Sequence, residues 1–557
     1  MEVLRASLCF LERKALVVQH QTFTYRDIVN AAVQVADTLE AIPARVPFVA
    51  FPPNASTLPR VALMADPGLA YLSGFIGTWL NRSISVPLCL THPDRELSYV
   101  LKDSGASAVL TTKRHMNRMQ RLAEPFGAQV IELQEQKEKM VDSRESEENA
   151  ENIATNLISN LRPEDGALII YTSGTTGRPK GAVHTYKSLD AQINALISAW
   201  EISRSDNILH TLPLHHIHGI VNALYCPLAA GGTVTMLPKF SPTEVWDLLQ
   251  QTNVPPISVL MGVPTMYSFL LNVYHKAPEA EKKQYEAAIK NLRLAISGSS
   301  ACPKPIMHAW SELSGGELLL ERYGMTETGM LLGNPLHGKR KPGTVGVPFL
   351  GIHVRIDPAT GELGVRGHQL FSGYWQRPDA TETSFDNEGY FLTGDTAEEE
   401  EEEGKEQSSS LGKYYRLLGR TSVDIIKHGG YKISALEIES ILLAHPKIAE
   451  CAVVGVPDQH YGEIVAVIAA LVKPTNDDRN PHHQQKENEL NLNDLTEWAR
   501  DFLAPYQLPR ILHLVPQLPR NAMGKVNKKT LRAEVFPDLF PPAGLPSSLS
   551  SSSSPAG

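Results

Sequence analysis

The sequence predicts a layered α/β fold built as more than one domain. Short apolar runs alternate with amphipathic helical patterns, which indicates α/β layering. The chain has 557 residues, too many for one compact core. A turn rich in glycine and hydroxyls follows a strand of the buried type, an arrangement suited to ligand binding at a strand end. In chain order, Ala167 to Ile170 reads as that buried strand. Leu189, Ile193, Leu196, Ile197 and Trp200 then recur at helical spacing, with Ser188 expected as the N-cap. The apolar run Leu294 to Ile296 leads into a turn at Ser297 to Ser300. Ser434 and Glu437 form a capping-box pattern ahead of Ile438, Ile441 and Leu442, and Ala452 to Val456 reads as a strand.

Three polar stretches read as surface insertions or linkers. They are Glu132 to Asn156, the acidic and serine-rich Glu398 to Ser410, and Pro474 to Asn493. Each is short of the apolar content needed to fold alone. Pro541 to Gly557 is Pro/Ser/Gly-rich and is expected to be a disordered tail.

Composition narrows the function. Net charge is −9 without a large basic block, which argues against nucleic acid as a partner. The five cysteines are scattered and none has CxxC spacing, so neither a zinc knuckle nor a disulfide framework is implied. No apolar run reaches transmembrane length. Glu2 and Glu12 make a poor transit peptide, so a cytoplasmic location is expected, with mitochondria as the alternative. Oligomeric state is left open.

The most informative segment is Tyr171 to Gly181. Its first ten residues, 171–180, gather two Gly, three Thr, one Ser and Lys180. Glycines let backbone N–H groups approach a ligand closely, and hydroxyls and a lysine add donors and charge. That set suits a polyphosphate. A Walker A loop would place Ser or Thr directly after Gly-Lys, whereas the order here is Pro179, Lys180, Gly181.

This loop resembles the phosphate loop of the acyl-adenylate-forming superfamily, and further motifs follow in that family's order over about residues 10 to 535. The resemblance implies the acyl-adenylate-forming enzyme fold. A large N-terminal domain would span 1–419, with insertions near 132–156 and 398–410. A small mobile α+β domain would span 420–540, and the tail 541–557. The type it most resembles is the malonyl-CoA synthetases. ATP, Mg²⁺ and CoA are implied as cofactor and co-substrates, and malonate as substrate.

By the same resemblance, Thr172, Ser173, Gly174, Thr175, Thr176, Gly177 and Lys180 hold phosphate. Gly298 and Ser299 line the adenine pocket. Arg322 to Glu327 matches the second core motif: Tyr323 and Gly324 at adenine, Thr326 at the α-phosphate, Glu327 on Mg²⁺. Asp395 and Arg420 match the ribose element, and Gly430 lies where relatives form the pantetheine tunnel. The hinge falls at Ser422 or Asp424. Lys525 matches the catalytic lysine; a terminal lysine near others, here Lys528 and Lys529, is ordinarily just solvated, but the flanking Pro519, Arg520, Asn521 and Gly524 argue against that for Lys525.

Two features bear on the acid that is activated. His216 lies within His215 to Gly219, in the position of the histidine beside the acyl pocket; metal binding by these close histidines is the less favoured reading. Arg322 falls where the family's acyl pocket is faced. A buried arginine there is costly unless an anion pairs with it, and a short dicarboxylate supplies one through a bidentate bond. The competing readings are that Arg322 pairs with Glu321 or turns outward. At the level of function, the alternatives to a malonate–CoA ligase are a short-chain or aryl carboxylate–CoA ligase and a catalytically silent adenylate-binding protein.

Overall fold

The structure is a computed structural model of the chain. It describes residues 1–42, 58–135, 144–172, 178–251, 256–400, 413–421, 423–429, 431–472, 490–520 and 526–540. Two compact units are present. One comprises Met1–Thr393 with Glu398–Leu417, and the other Gly394–Ala397 with Leu418–Gly557.

The first unit is built on two large mixed sheets. One has seven strands, in spatial order Gly373–Tyr374, Lys180–Thr185, Gly166–Thr172, Ile84–Pro87, Arg60–Met64, Ala108–Thr111 and Gln129–Glu132. The other has nine, ordered Val347–Pro348, Gly329–Gly333, Leu320–Met325, Leu294–Ser297, Val259–Gly262, Asn207–His210, Thr233–Met236, Lys14–Val18 and Gln21–Thr24. The central strands of both are parallel and buried on both faces, which is why they read as unbroken apolar runs.

The helix Leu69–Leu80 ties these sheets together. Every residue of it is buried, as its all-round apolar sequence requires. Trp79 Nε1 donates to the Ala167 carbonyl at 2.8 Å, on a strand of the seven-stranded sheet. The Trp79 ring also packs on Tyr225, in the helix that follows a strand of the nine-stranded sheet. Tyr71 Oη donates to the Leu214 carbonyl at 2.6 Å, fixing the turn that carries His215 and His216. Each buried Leu, Ile or Phe here contributes about 1.5–3 kcal/mol over exposure.

A four-stranded sheet follows, made of Ile352–Ile356, Glu362–Gly367, Phe391–Glu400 and Tyr414–Arg420. The second unit has a sheet of Tyr431–Ser434, Ile425–His428, Gly462–Leu471 and Ile448–Asp458, with Ile511–Leu514 pairing Gly462–Leu471 in parallel. Strand alternation puts Val453, Val465 and Val467 in one core with the helices Ala435–Leu442 and Leu492–Ala499. Val454, Ala466 and Ile468 enter the other, with Leu531 of the helix Lys528–Val535.

Several expectations need correcting. Ser188 is not the N-cap. The helix Tyr186–Trp200 begins earlier, capped by Thr185, whose hydroxyl accepts from Ser188 N while Ser188 Oγ accepts from Thr185 N. Ser188 is the third helical residue of a capping box. The polar stretch 132–156 is not all excursion. A helix runs Arg144–Ser159 and buries Ala150 and Ala154, because small residues four apart share one helix face. Glu398 to Glu400 continue a strand rather than leaving it, and Glu400 pairs with Lys341 at 2.5 Å. The end of the stretch 474–493 also orders itself: Asn491 caps the helix Leu492–Ala499 through Asp494 N at 3.0 Å. Residues 401–410 and the tail 541–557 lie outside the described residues.

Candidate active site

The phosphate-loop candidates sit on a hairpin. The strands Gly166–Thr172 and Lys180–Thr185 are antiparallel, with Thr172 opposite Lys180, so the loop joins two adjacent strand ends. Ser173, Gly174, Thr175, Thr176 and Gly177 lie outside the described residues. Lys180 places its ammonium 4.1 Å from the centre of the Tyr374 ring, a cation–π contact. The Tyr374 hydroxyl donates to Glu327 Oε1 at 2.9 Å. Tyr374 therefore joins the two charged residues that the motifs single out, a lysine and a carboxylate far apart in sequence.

Thr326 and Glu327 occupy the turn between the antiparallel strands Leu320–Met325 and Gly329–Gly333. Tyr323 is half-buried and pairs with Leu332, and the register shifts before Gly324. A Cβ on Gly324 would stand 2.2 Å from the Gly329 carbonyl oxygen, so this crossing accepts glycine alone. His184 holds the turn from beneath. Its Nε2 donates to the Thr326 carbonyl at 2.7 Å, and its Nδ1 lies 3.3 Å from Gln192 Nε2. Burial pulls the His184 pKa down to about 4, so the ring is neutral and one donor meets one acceptor.

Arg322 is buried, 3% exposed. Its neighbour Glu321 lies on the opposite face of the same strand, and Glu321 Oε1 accepts from Cys302 N at 2.8 Å. The two do not pair, nor does Arg322 turn outward. Among the described residues, Arg322 Nε and Nη2 meet no hydrogen-bond partner. Burial lowers its pKa to about 9, which leaves it charged at neutrality. Gly298 makes room for it: a Cβ there would stand 2.4 Å from the guanidinium carbon. Gly298, expected at adenine, thus has a second structural duty. Ser299 beside it adopts a left-handed φ of 69°, and its hydroxyl lies 3.2 Å from His218 Nδ1.

His216 is half-buried on the turn that Tyr71 anchors, and its ring stands 4.0 Å from that of His215, centre to centre. The three histidines do not converge on one point. His218 turns to Ser299, while His215 joins Cys89 and His92, whose donor atoms all lie within 4.8 Å of one another. Burial raises the Cys89 thiol pKa, but contacts with His215 and His92 outweigh it and hold the thiol near 5.

In the second unit, Asp395 is buried and its Oδ1 lies 3.0 Å from Arg420 Nε. Asp424 is a hub: one oxygen accepts from Arg420 N at 3.0 Å, the other from Lys528 Nζ at 2.5 Å. Lys528 also lies 2.6 Å from Glu439, with its side chain only 11% exposed. Two carboxylates converging on one amine are what allow it to enter the core. Lys525, Gly430 and Ser422 lie outside the described residues.

Tyr374, His184 and the Cys89–His92 pair escaped the sequence reading. Cys89 and His92 had a legible signal, a Cys-x-x-His spacing closed by a turn from His92 N to the Cys89 carbonyl at 3.3 Å. Tyr374 had none, because its strand is two residues long.

The first unit thus holds a buried carboxylate tied to a lysine through one tyrosine, and the second unit an acid–arginine pair. Residues 6–375 match the family model described as AMP-binding enzyme, and 437–525 match the AMP-binding enzyme C-terminal domain. The chain belongs to this acyl-adenylate-forming family. It is 42% identical to a malonate–CoA ligase of Arabidopsis thaliana, over 85% of this chain and 77% of that protein. It is 39% identical to the mitochondrial malonate–CoA ligase ACSF3 of Xenopus laevis, over 95% of this chain and 91% of that protein. Among solved structures, ATP-bound MatB from Rhodopseudomonas palustris is 30% identical, with a TM-score of 0.78 over 97% of this chain and 99% of that one. No helix of the described residues is long and apolar enough to cross a membrane.

Proposed function

We propose that the chain is an ATP-dependent malonate–CoA ligase. A malonate carboxylate oxygen attacks the α-phosphorus of ATP, and pyrophosphate leaves. The CoA sulfur then attacks the acyl carbon of malonyl-AMP, giving malonyl-CoA and AMP. Protein does little covalent chemistry in such a reaction and acts by positioning and charge stabilisation.

The observation that carries the choice of acid is Arg322, a buried cation without a carboxylate partner among the described residues, directly before Tyr323. The second carboxylate of malonate supplies the missing anion. A short-chain or aryl monocarboxylate supplies none, which disfavours that alternative. The malonate–CoA ligases among the relatives support the same reading.

The proposed roles follow the motifs. Lys180, Thr172, Thr326 and the loop from Ser173 to Gly177 hold phosphates. Tyr323, Gly324, Gly298 and Ser299 frame adenine, Asp395 and Arg420 take the ribose, and His216 borders the acid. Lys525 serves adenylation and Gly430 the CoA tunnel, within a small domain from about 420 to 540. Glu327, buried and approached by the Tyr374 hydroxyl, fits as the hard-oxygen ligand of Mg²⁺, which when bound would offset triphosphate charge. The cytosol is the proposed compartment and the mitochondrion its alternative, to be decided by imaging a C-terminally tagged chain.

The test is a carboxylate panel of malonate, methylmalonate, acetate, propionate and benzoate, read by pyrophosphate release and by CoA-dependent AMP formation. Malonate is expected to lead, with methylmalonate slower. Preference for a monocarboxylate overturns the reading, and absence of turnover with every acid favours a silent adenylate-binding protein.

A further inference from the structure

We propose that Cys89, His92 and His215 form a binding site for a thiophilic divalent cation of the zinc type. The three come from different parts of the first unit. Cys89 and His92 follow the strand Ile84–Pro87 of the seven-stranded sheet, and His215 follows the strand Asn207–His210 of the nine-stranded sheet. One sulfur and two imidazole nitrogens lie mutually within 4.8 Å. Tetrahedral zinc, with bonds of about 2.3 Å to sulfur and about 2.0–2.1 Å to nitrogen, needs donors roughly 3.3–3.6 Å apart. The required closure is within reach of small side-chain rotations.

Three further observations point to a ligand. His215 Nε2 is buried and meets no hydrogen-bond partner among the described residues. Glu96 Oε2 lies 3.3 Å from His92 Nδ1, the carboxylate–imidazole contact that orients a ligating ring. Cys89 is itself buried, 4% exposed, with its sulfur 3.3 Å from Thr91 Oγ1. A sulfur and two nitrogens select a borderline-soft cation over Mg²⁺ or Ca²⁺, which take oxygen. Three protein donors leave a fourth position for water or a small anion. The site is distinct from Glu327, whose oxygen suits a harder ion.

Cobalt reports such a site directly. The full chain, stripped with chelator, is titrated with Co²⁺ and then with Zn²⁺. One equivalent of cobalt is expected to give a thiolate-to-metal charge-transfer band in the near ultraviolet, which zinc bleaches. Cys89→Ser removes the band, while Cys302→Ser, at a buried cysteine elsewhere, keeps it. His92→Ala lowers zinc affinity by more than the roughly 10–100-fold that loss of an outer-shell partner costs. Should Cys89→Ser fail to fold, His92→Ala and the wild-type spectrum still decide. A wild type without the band, or a band and affinity unchanged in folded Cys89→Ser or His92→Ala, overturns the proposal.

Discussion

The guanidinium of Arg322 occupies the space that a side chain at Gly298 would fill, 2.4 Å from where its Cβ would stand. The arginine is therefore held by shape, and among the described residues no carboxylate pairs with it. Arg322→Ala is expected to lower kcat/KM for malonate far more than for propionate. Removing one partner of a buried charge pair costs about 2–5 kcal/mol, or roughly 30- to several-thousand-fold. Arg322→Lys should also be impaired, since it keeps the charge but loses the planar fork. Gly298→Ala displaces the guanidinium and should reduce the malonate-to-propionate ratio in the same direction. An unchanged ratio in Arg322→Ala would move the selector role to His216.

The candidate residues Lys180, Tyr323 to Glu327, Asp395 and Arg420 stand out in the sequence because each lies in a contiguous motif marked by its neighbours. What could not be read depends on distant pairing. Tyr374 reaches Glu327 across 47 positions, and His184 reaches Thr326 across 142. The setting of Lys528 depends on distant pairing too: lysine is nearly always solvated unless paired, and its partners Glu439 and Asp424 come from remote segments. In the fold, central strands were legible as apolar runs. The helix Arg144–Ser159 was not, since its buried face is mostly alanine and its flanks are charged.

Tyr374 tests the link between Lys180 and Glu327. Tyr374→Phe deletes the hydroxyl that donates to Glu327 but keeps the ring under Lys180. A hydrogen bond to a charged group is worth about 1.5–3 kcal/mol. The expected loss is roughly ten- to hundred-fold in kcat/KM for ATP, with a higher Mg²⁺ requirement. Tyr374→Leu, which also removes the ring, should lose more. Wild-type ATP kinetics in both variants would separate Tyr374 from the phosphate site.

Glu321 predicts a pH dependence of stability. Burial raises its carboxyl from 4.5 to about 7 in the folded state. Between those values the folded state binds more protons than the unfolded one, so stability falls as pH rises through that window and stays lowered above it. The whole move corresponds to about 3 kcal/mol. Glu321→Gln keeps an acceptor for Cys302 N and cannot ionise. It should melt above the wild type at about pH 8 and close to it at about pH 5. Parallel melting-against-pH curves for the two proteins would rule this out.

Lys528 is the group on which the second unit's polar core depends. Its ammonium lies 2.5 Å from Asp424 and 2.6 Å from Glu439. Burial lowers its pKa, but Glu439 and Asp424 outweigh burial and raise it, so it stays charged. Burial also raises Glu439, against the pull of Lys528, because one amine serves two acids. Lys528→Met fills the same space and leaves two buried carboxylates without a cation. Breaking a buried pair this way costs about 3–5 kcal/mol. The same Asp424 accepts from Arg420 N, so the loss should reach the Arg420–Asp395 pair as well. The expected result is a lower melting temperature together with a raised KM for ATP. Adding Glu439→Gln to Lys528→Met removes one of the stranded charges and should recover part of the stability. A double variant no more stable than Lys528→Met would mean that Asp424 alone holds the lysine, and Asp424→Asn then becomes the deciding substitution.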